Sequence, residues 1–278
     1  MKPYNLPLLR LILRRKPFRG QFRLFSWLFQ RNMLPVLQTI DQPLLGNFKL
    51  HLNTKYYIDS CIYYTGDYEN ALKIQYQKYI KRGFYILDVG ANIGFHSLFF
   101  AELTGKEGKV IAIEPIDVNY EALVKNTRIN TFPQLITHPI ALGNENKILD
   151  IHIDTEEQNP GAFNLFEEGE KNYKVVCKKG DDLLKREHID KIDFIKIDVE
   201  GYEVEVINGL ANTIAKYRPI INFEYNSIYQ LRGHHQKDEI FLFLKELNYS
   251  FLAIDKRGRA HLIEYNNDLI GAEVIAIP

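Results

Sequence analysis

The run Phe84-Tyr85-Ile86-Leu87-Asp88-Val89-Gly90-Ala91-Asn92-Ile93-Gly94 limits the fold more than any other part of this chain. It reads as a buried strand over 84–88 that ends in a carboxylate, then turns sharply into a helix over about 94–103. Glycine lacks the Cβ that would hold a ligand off the backbone, so Gly90-x-Asn92-x-Gly94 permits close approach. Such a turn offers backbone N–H groups and one acid at the carboxyl edge of a sheet.

The same alternation continues downstream. Strands are predicted over 110–114, near 135–138, over 194–198 and over 219–224, with helices over about 119–129, 202–215 and 238–247 between or after them. Terminal strands are predicted over 250–254 and 272–277. Strand and helix in alternation imply an α/β fold, a mostly parallel sheet with helices on both faces. One interruption stands out. Leu149, Ile151 and Ile153 alternate with Asp150, His152 and Asp154, a loop follows at Gln158-Asn159-Pro160-Gly161, and Tyr173 to Cys177 reads as a strand. Residues 145–180 are therefore expected to form an inserted hairpin. Upstream, 46–66 reads as short strands, because Phe48, Leu50 and Leu52 alternate and Tyr57 to Tyr64 is aromatic and β-branched. Gly66-Asp67 supplies a turn and an N-cap for a helix over 68–79, which Gly83 would close.

The 278 residues suffice for one large domain with additions. Lys and Arg total 35 against 35 Asp and Glu, so the overall charge gives no argument for a nucleic-acid partner. Cys61 and Cys177 match no metal spacing and read as buried thiols in a reducing compartment, which points to the cytoplasm. Residues 1–45 differ from the rest. They carry Lys2, Arg10, Arg14, Arg15, Lys16, Arg19, Arg23 and Arg31, with no acid before Asp41, and are interleaved with Leu, Ile, Phe and Trp. No apolar run reaches the length of about 20 residues that a bilayer span needs, and Arg10 spoils a signal peptide. A basic amphipathic arm of this kind could lie on a membrane surface. The alternative is a helical arm packed on the domain or on a second subunit, and the aromatic content of 1–40 favours packing. The expected division is an arm over 1–45 and a domain over 46–278, with 46–83 preceding the core of 84–278.

Asp88, Glu114, Asp198 and Glu224 each close a predicted parallel strand. Ligands of open α/β sheets bind outside the carboxyl ends of the strands, so four acids at that edge suggest a ligand with several donors, or a cation. Any one of them could instead cap the following helix; that explanation is weaker for all four together. Asp88 could pair with a ligand ammonium directly or through water, and Glu114 could accept both hydroxyls of a ribose. A dinucleotide would want Gly-x-Gly-x-x-Gly to seat its pyrophosphate. Here Asn92 replaces the middle glycine and Phe95 follows Gly94, which favours S-adenosylmethionine, a nucleoside with no pyrophosphate.

The segment 88–94, together with Ile195-Lys196-Ile197-Asp198-Val199-Glu200-Gly201-Tyr202-Glu203, resembles the FkbM-type methyltransferase family. Gly66-Asp67-Tyr68-Glu69 resembles that family's approach to the first motif, and 219–224 its later strand, so the resemblance covers about 55–255. It implies a Rossmann-like class I methyltransferase sheet with a terminal antiparallel strand, binding of S-adenosylmethionine, and O-methylation of a sugar, glycan or natural-product hydroxyl. The cofactor contacts expected are Glu69, Asp88, Gly90, Asn92, Gly94, Glu114, Pro115, Ala141 and Asp198.

Transfer to a neutral hydroxyl needs a base within hydrogen-bond reach. Asp198 and Glu200 are the candidates. Glu200 and Glu203 could instead only favour the start of the next helix, and His96 could be a packed histidine; for Glu203 and His96 that structural reading is preferred. Glu69 either approaches the cofactor from a lid or caps its helix. No residue is assigned to a metal, although Asp198, Glu200 and Glu224 could hold Mg²⁺ against an acceptor diol. His152 and Asn164 are candidates for the acceptor pocket. Two other classes compete: a nucleic-acid methyltransferase, supported only by the basic arm, and a non-catalytic S-adenosylmethionine-binding protein.

Overall fold

The computed structural model describes residues 6–14, 18, 20–153 and 171–278. The chain opens with α1 (Leu6–Leu13) and α2 (Gln21–Gln30), a hairpin of β1 (Gln38–Asp41) and β2 (Leu50–Asn53), then α3 (Tyr57–Thr65) and α4 (Asn70–Tyr79). The main alternation follows: β3 (Tyr85–Val89), α5 (Phe95–Thr104), β4 (Lys109–Ile113), α6 (Asp117–Arg128) and β5 (Leu135–His138). A small sheet comes next, β6 (Ala141–Gly143), β7 (Lys147–Ile153) and β8 (Lys171–Lys179), with α7 (Gly180–Arg186) after it. The chain returns through β9 (Phe194–Ile197), α8 (Glu203–Gly209), α9 (Ala211–Tyr217), β10 (Ile220–Asn226), α10 (Ser227–Arg232) and α11 (Glu239–Glu246). It ends with β11 (Ser250–Ile254), β12 (Ala260–Ile263) and β13 (Gly271–Ile277).

The eight-stranded sheet has the order β12-β11-β13-β10-β9-β3-β4-β5. Strands β10, β9, β3, β4 and β5 pair in parallel; β13 is antiparallel to both β10 and β11. Strand β3 is apolar on both faces because each face is covered. Ile86 joins Val110, Phe194 and Phe100 on one side. Leu87 and Val89 join Ile111, Ile195 and Ile197 on the other. From β3 the chain moves outward to β4 and β5, then crosses back to β9 on the opposite flank. The switch in direction therefore lies between β3 and β9, and the carboxyl ends of those two strands flank it.

Residues 57–64 form α3, not a strand. Ile58, Cys61, Ile62 and Thr65 are buried at helical spacing. That 3.6-residue period outweighs the β propensity of the aromatic and β-branched side chains. The expected boundary at 45/46 falls inside the β1–β2 hairpin, where Asp41 pairs with Leu50, so the arm and the domain share an element. The arm is helical and packs on the domain: Leu13, Phe25, Leu28 and Phe29 lie against Cys61 and Tyr64. Asp67 caps no helix; its carboxylate accepts from Tyr68 N at 3.0 Å and from the buried Lys73 Nζ at 2.8 Å. Ile80, not Gly83, follows the end of α4 as its C-cap. The helix expected over 202–215 is broken at Leu210 into α8 and α9. At that break a Cβ on Gly209 would meet the Gly143 carbonyl oxygen at 1.8 Å, so the helix end sits hard against β6.

Strands β7 and β8 pair antiparallel, as expected of the insertion, while β6 adds to β8 in parallel. The Gln158–Gly161 loop, Asn164 and the side chain of His152 lie outside the described residues. Cys61 and Cys177 are both buried free thiols. Among the described residues no helix is long and apolar enough to cross a membrane.

The contact between α8 and β6 leaves no room for one methyl group. Gly209→Ala should lower unfolding stability by about 1–3 kcal/mol, read from denaturant titration; an unchanged midpoint would mean that the α8–β6 contact is loose.

Candidate active site

The turn after β3 holds three residues in the left-handed region: Gly90 (φ 82°), Asn92 (φ 50°) and Gly94 (φ 86°). Neighbouring protein demands the two glycines. A Cβ on Gly90 would lie 1.8 Å from the Asp198 carbonyl oxygen, and one on Gly94 would lie 2.5 Å from Leu123 Cδ1. Asparagine tolerates this backbone because its side chain bonds locally; Asn92 Oδ1 accepts from Ile93 N at 2.8 Å.

The turn forms one wall of a cleft of about 900 Å³, open to solvent at its mouth. Across from it stands Glu114, just past the end of β4. Its two carboxylate oxygens accept from Asn92 N at 2.8 Å and Ile116 N at 2.9 Å. Burial pushes the Glu114 carboxyl up to about 7, against the pull of the Ile116 and Asn92 amides and the Asn119 side chain. Each oxygen has a second lone pair, so the clamped carboxylate can still accept from a ligand. A second cleft of about 1200 Å³, toward β1 and β2, shares Ile58, Asn92, Ile93 and Asn119 with the first.

The opposite end of the cleft is built on β9. Lys196 and Asp198 are two residues apart and so share a face of the sheet. Lys196 Nζ donates to Asp198 Oδ2 at 3.0 Å and lies 3.8 Å from Asp88 Oδ1. Burial alone would lower the Lys196 pKa, but the charges of Asp198, Asp88 and Glu69 raise it instead. Glu69 Oε2 lies 2.8 Å from His96 Nε2. Burial would raise the Glu69 carboxyl, yet the His96 hydrogen bond and charge, with Lys196, hold it below its ordinary value. His96 is also packed, stacked on Phe100 and edge-on to Tyr76.

Beyond β9, Val199-Glu200-Gly201 forms a loop in which Glu200 adopts φ 53°, an uncommon conformation for a non-glycine residue. Glu203 fastens that loop from within: its Oε1 accepts from Val199 N at 3.2 Å and Gly201 N at 3.1 Å. Burial, followed by the nearby Asp198, Glu224 and Glu203 charges, raises the Glu200 carboxyl to about 8. Burial and Asp198 likewise raise Glu224 to about 7. Asp198, Glu200 and Glu224 each offer an oxygen within 4.8 Å of the other two. Glu273, cross-strand from Glu224, is raised well above the ordinary carboxyl value by burial and by the Glu69, Asp198 and Glu224 charges.

Of the expected contacts, Glu69, Gly90, Asn92, Glu114, Pro115, Asp198 and Glu200 line the cleft together. Asp88, Gly94 and Ala141 do not. Asp88 is fully buried: its Oδ2 accepts from Ser97 Oγ at 2.5 Å, and its Oδ1, 3.8 Å from Lys196 Nζ, has no hydrogen-bond donor among the described residues. Gly94 faces Leu123, and Ala141 packs against Ile116, Ile151 and Val175, of which Ile116 and Ile151 line the cleft. Glu69 stands at the N-cap of α4 without capping it. Lys196, Tyr68 and Asn119 were not anticipated as lining residues, and His96 lines the cleft as well as packing. For Lys196 the signal was present: a lysine inside an apolar strand, in phase with Asp198.

A carboxyl with a raised folded pKa stabilises the protein below its unfolded value and loses that contribution as pH rises through the folded value. For Glu200 the window runs from 4.5 to about 8. Wild type should therefore lose melting temperature relative to Glu200→Gln as pH climbs through that window. Parallel curves would show that Glu200 is solvated.

The description "Methyltransferase FkbM domain" matches residues 88–251. The hexuronic acid methyltransferase AglP of Haloferax volcanii is 28% identical over 138 residues, 48% of this chain and 53% of that protein. Methyltransferase sdnD of Sordaria araneosa is 26% identical over 156 residues, 45% of this chain and 60% of that protein. The chain thus spans between about half and three-fifths of these relatives. A crystal structure of methyltransferase FkbM from Methylobacillus flagellatus KT superposes with a TM-score of 0.43 at 16% identity, covering 79% of this chain and 52% of that one. With its family match running from the end of β3 into β11, over a mostly parallel sheet with an antiparallel β13, the chain belongs to the FkbM methyltransferase family and has a Rossmann-like class I methyltransferase fold.

Proposed function

We propose that the protein is an S-adenosylmethionine-dependent methyltransferase that methylates a hydroxyl of a sugar, glycan or natural-product acceptor. The observation that carries this reading is the charge of the cleft at the β3/β9 switch. Glu69, Glu114, Asp198 and Glu200 face Lys196 and His96 there, a balance that suits a cationic nucleoside better than a pyrophosphate. The cofactor supplies a methyl group on a sulfonium, which is a good leaving group. Glu114 is the residue to accept the ribose hydroxyls, since two backbone amides already fix its carboxylate at the wall. The turn brings the main chain of Gly90 and Asn92 to the cleft. AglP, described as acting on a hexuronic acid, supports the carbohydrate class of acceptor.

The acceptor hydroxyl must give up its proton, and Glu200 and Asp198 lie at the end of the cleft suited to take it. Asp198 is held by Lys196, which makes it the orienting member. Glu200 has no such tie among the described residues and has a carboxyl raised to about 8, close to a working pH, where a general base is most effective. The triad of Asp198, Glu200 and Glu224 is a set of hard oxygen donors that fits Mg²⁺. The chemistry does not require the ion; full activity in EDTA would remove it.

Calorimetric titration of S-adenosylmethionine tests the first half of the reading. Glu114→Ala should weaken binding about 10- to 100-fold through lost charge-assisted hydrogen bonds, and a wild type that binds none would end it. Glu200→Gln tests the second half. It should keep cofactor affinity and lower kcat by about 10²–10⁴-fold, with the wild-type rate rising toward alkaline pH as the carboxyl ionises; an active Glu200→Gln would move the base elsewhere.

A further inference from the structure

The helices α1 and α2 have two unlike sides. Their inner side is fixed: Phe25 and Phe29 lie with ring centroids 5.4 and 5.3 Å from that of Tyr57 on α3, and Leu13 and Leu28 fill the same cluster. Their outer side is apolar and uncovered. Leu8 is 58% exposed and Trp27 44%, and Leu11, Ile12, Phe22 and Leu24 are exposed with them. Packing against α3 therefore holds these side chains outward.

Charge selects what could cover them. Residues 1–40 contain eight basic residues and no acid. The first acid, Asp41, is already taken by Arg10 and Arg14. Arg23 is exposed on α2, and the Arg31 guanidinium lies 4.5 Å from the Trp27 ring centroid. A second copy of the chain laid on this face would set cation against cation. A nucleic acid would satisfy the arginines but leave the leucines in water. A surface that takes apolar side chains at one depth and cations just above it is an anionic bilayer.

We propose that α1 and α2 form a docking face for an anionic lipid surface, with Trp27 and its leucine neighbours entering the headgroup boundary and the arginines meeting lipid phosphates. This assignment does not depend on the chemistry in the cleft. Trp27 is the chain's single tryptophan, so its emission reports the face directly. The full chain should sediment with vesicles of phosphatidylcholine mixed with phosphatidylglycerol, with a blue shift of tryptophan emission, and far less with phosphatidylcholine alone. Added salt should release it. Leu24→Glu with Arg23→Glu, both at exposed positions, should weaken vesicle partition about tenfold or more while circular dichroism shows an unchanged fold. Protein left in the supernatant with anionic vesicles, emission that does not shift, or a double variant that partitions like wild type would each overturn the proposal. Dimerisation in sedimentation equilibrium without vesicle uptake would overturn it too and give the face to a second copy.

Discussion

One buried ammonium organises the centre of this molecule. Lys196 on β9 lies directly across from Asp88 on β3 and from Asn222 on β10, so a polar row crosses three strands inside an apolar sheet. A lone ammonium there would be costly, and removing one partner of a buried pair strands the other. Most of the row is satisfied; Asp88 Oδ1, 3.8 Å from the Lys196 ammonium, has no hydrogen-bond donor among the described residues. Asp88 takes Ser97 and Lys196, Lys196 takes Asp198, and Asn222 accepts from Tyr76 at 2.7 Å. Satisfying Lys196 thus fixes Asp198 at the mouth of the switch, and the backbone contact between Gly90 and Asp198 fixes the turn beside it.

The surrounding carboxyls make sense in that light. Glu69 is close enough to share the positive field of Lys196 and His96, and its carboxyl is held low. Glu200, Glu224 and Glu273 lie farther along, among one another, and theirs are raised. Carboxyls shifted down and up therefore share one cleft, Glu69 and Glu200 among its lining. The low value at Glu69 follows from its cationic neighbours His96 and Lys196, which outweigh its burial.

Much of this frame was legible in the sequence because its signals are local. Apolar runs closed by Asp88, Glu114, Asp198 and Glu224 mark the strands, and of those acids Glu114 and Asp198 line the cleft while Glu224 offers an oxygen within 4.8 Å of Asp198 and Glu200. What stayed illegible depended on partners distant in the chain. Nothing near Asp88 says that Lys196, more than a hundred residues on, will claim its carboxylate. Gly94 reads as a ligand-contacting glycine until Leu123 on α6 is in place, and Ala141 packs against Ile116, Ile151 and Val175, two of which come from the strands of the insertion. Helix α3 is hard to read from sequence for a different reason: its residue types favour strand while their spacing favours helix, and burial against the arm on one side and the core on the other decides in favour of spacing.

That helix has two constituencies. Ile58, near its start, lines the cleft, whereas Cys61 and Tyr64, one and two turns on, carry the packed side of α1 and α2. A single short rod joins them, so it cannot tilt at one end and stay still at the other. Any occupant that favours one pose of α3 must bias both neighbourhoods, and by thermodynamic reciprocity the influence runs equally in each direction.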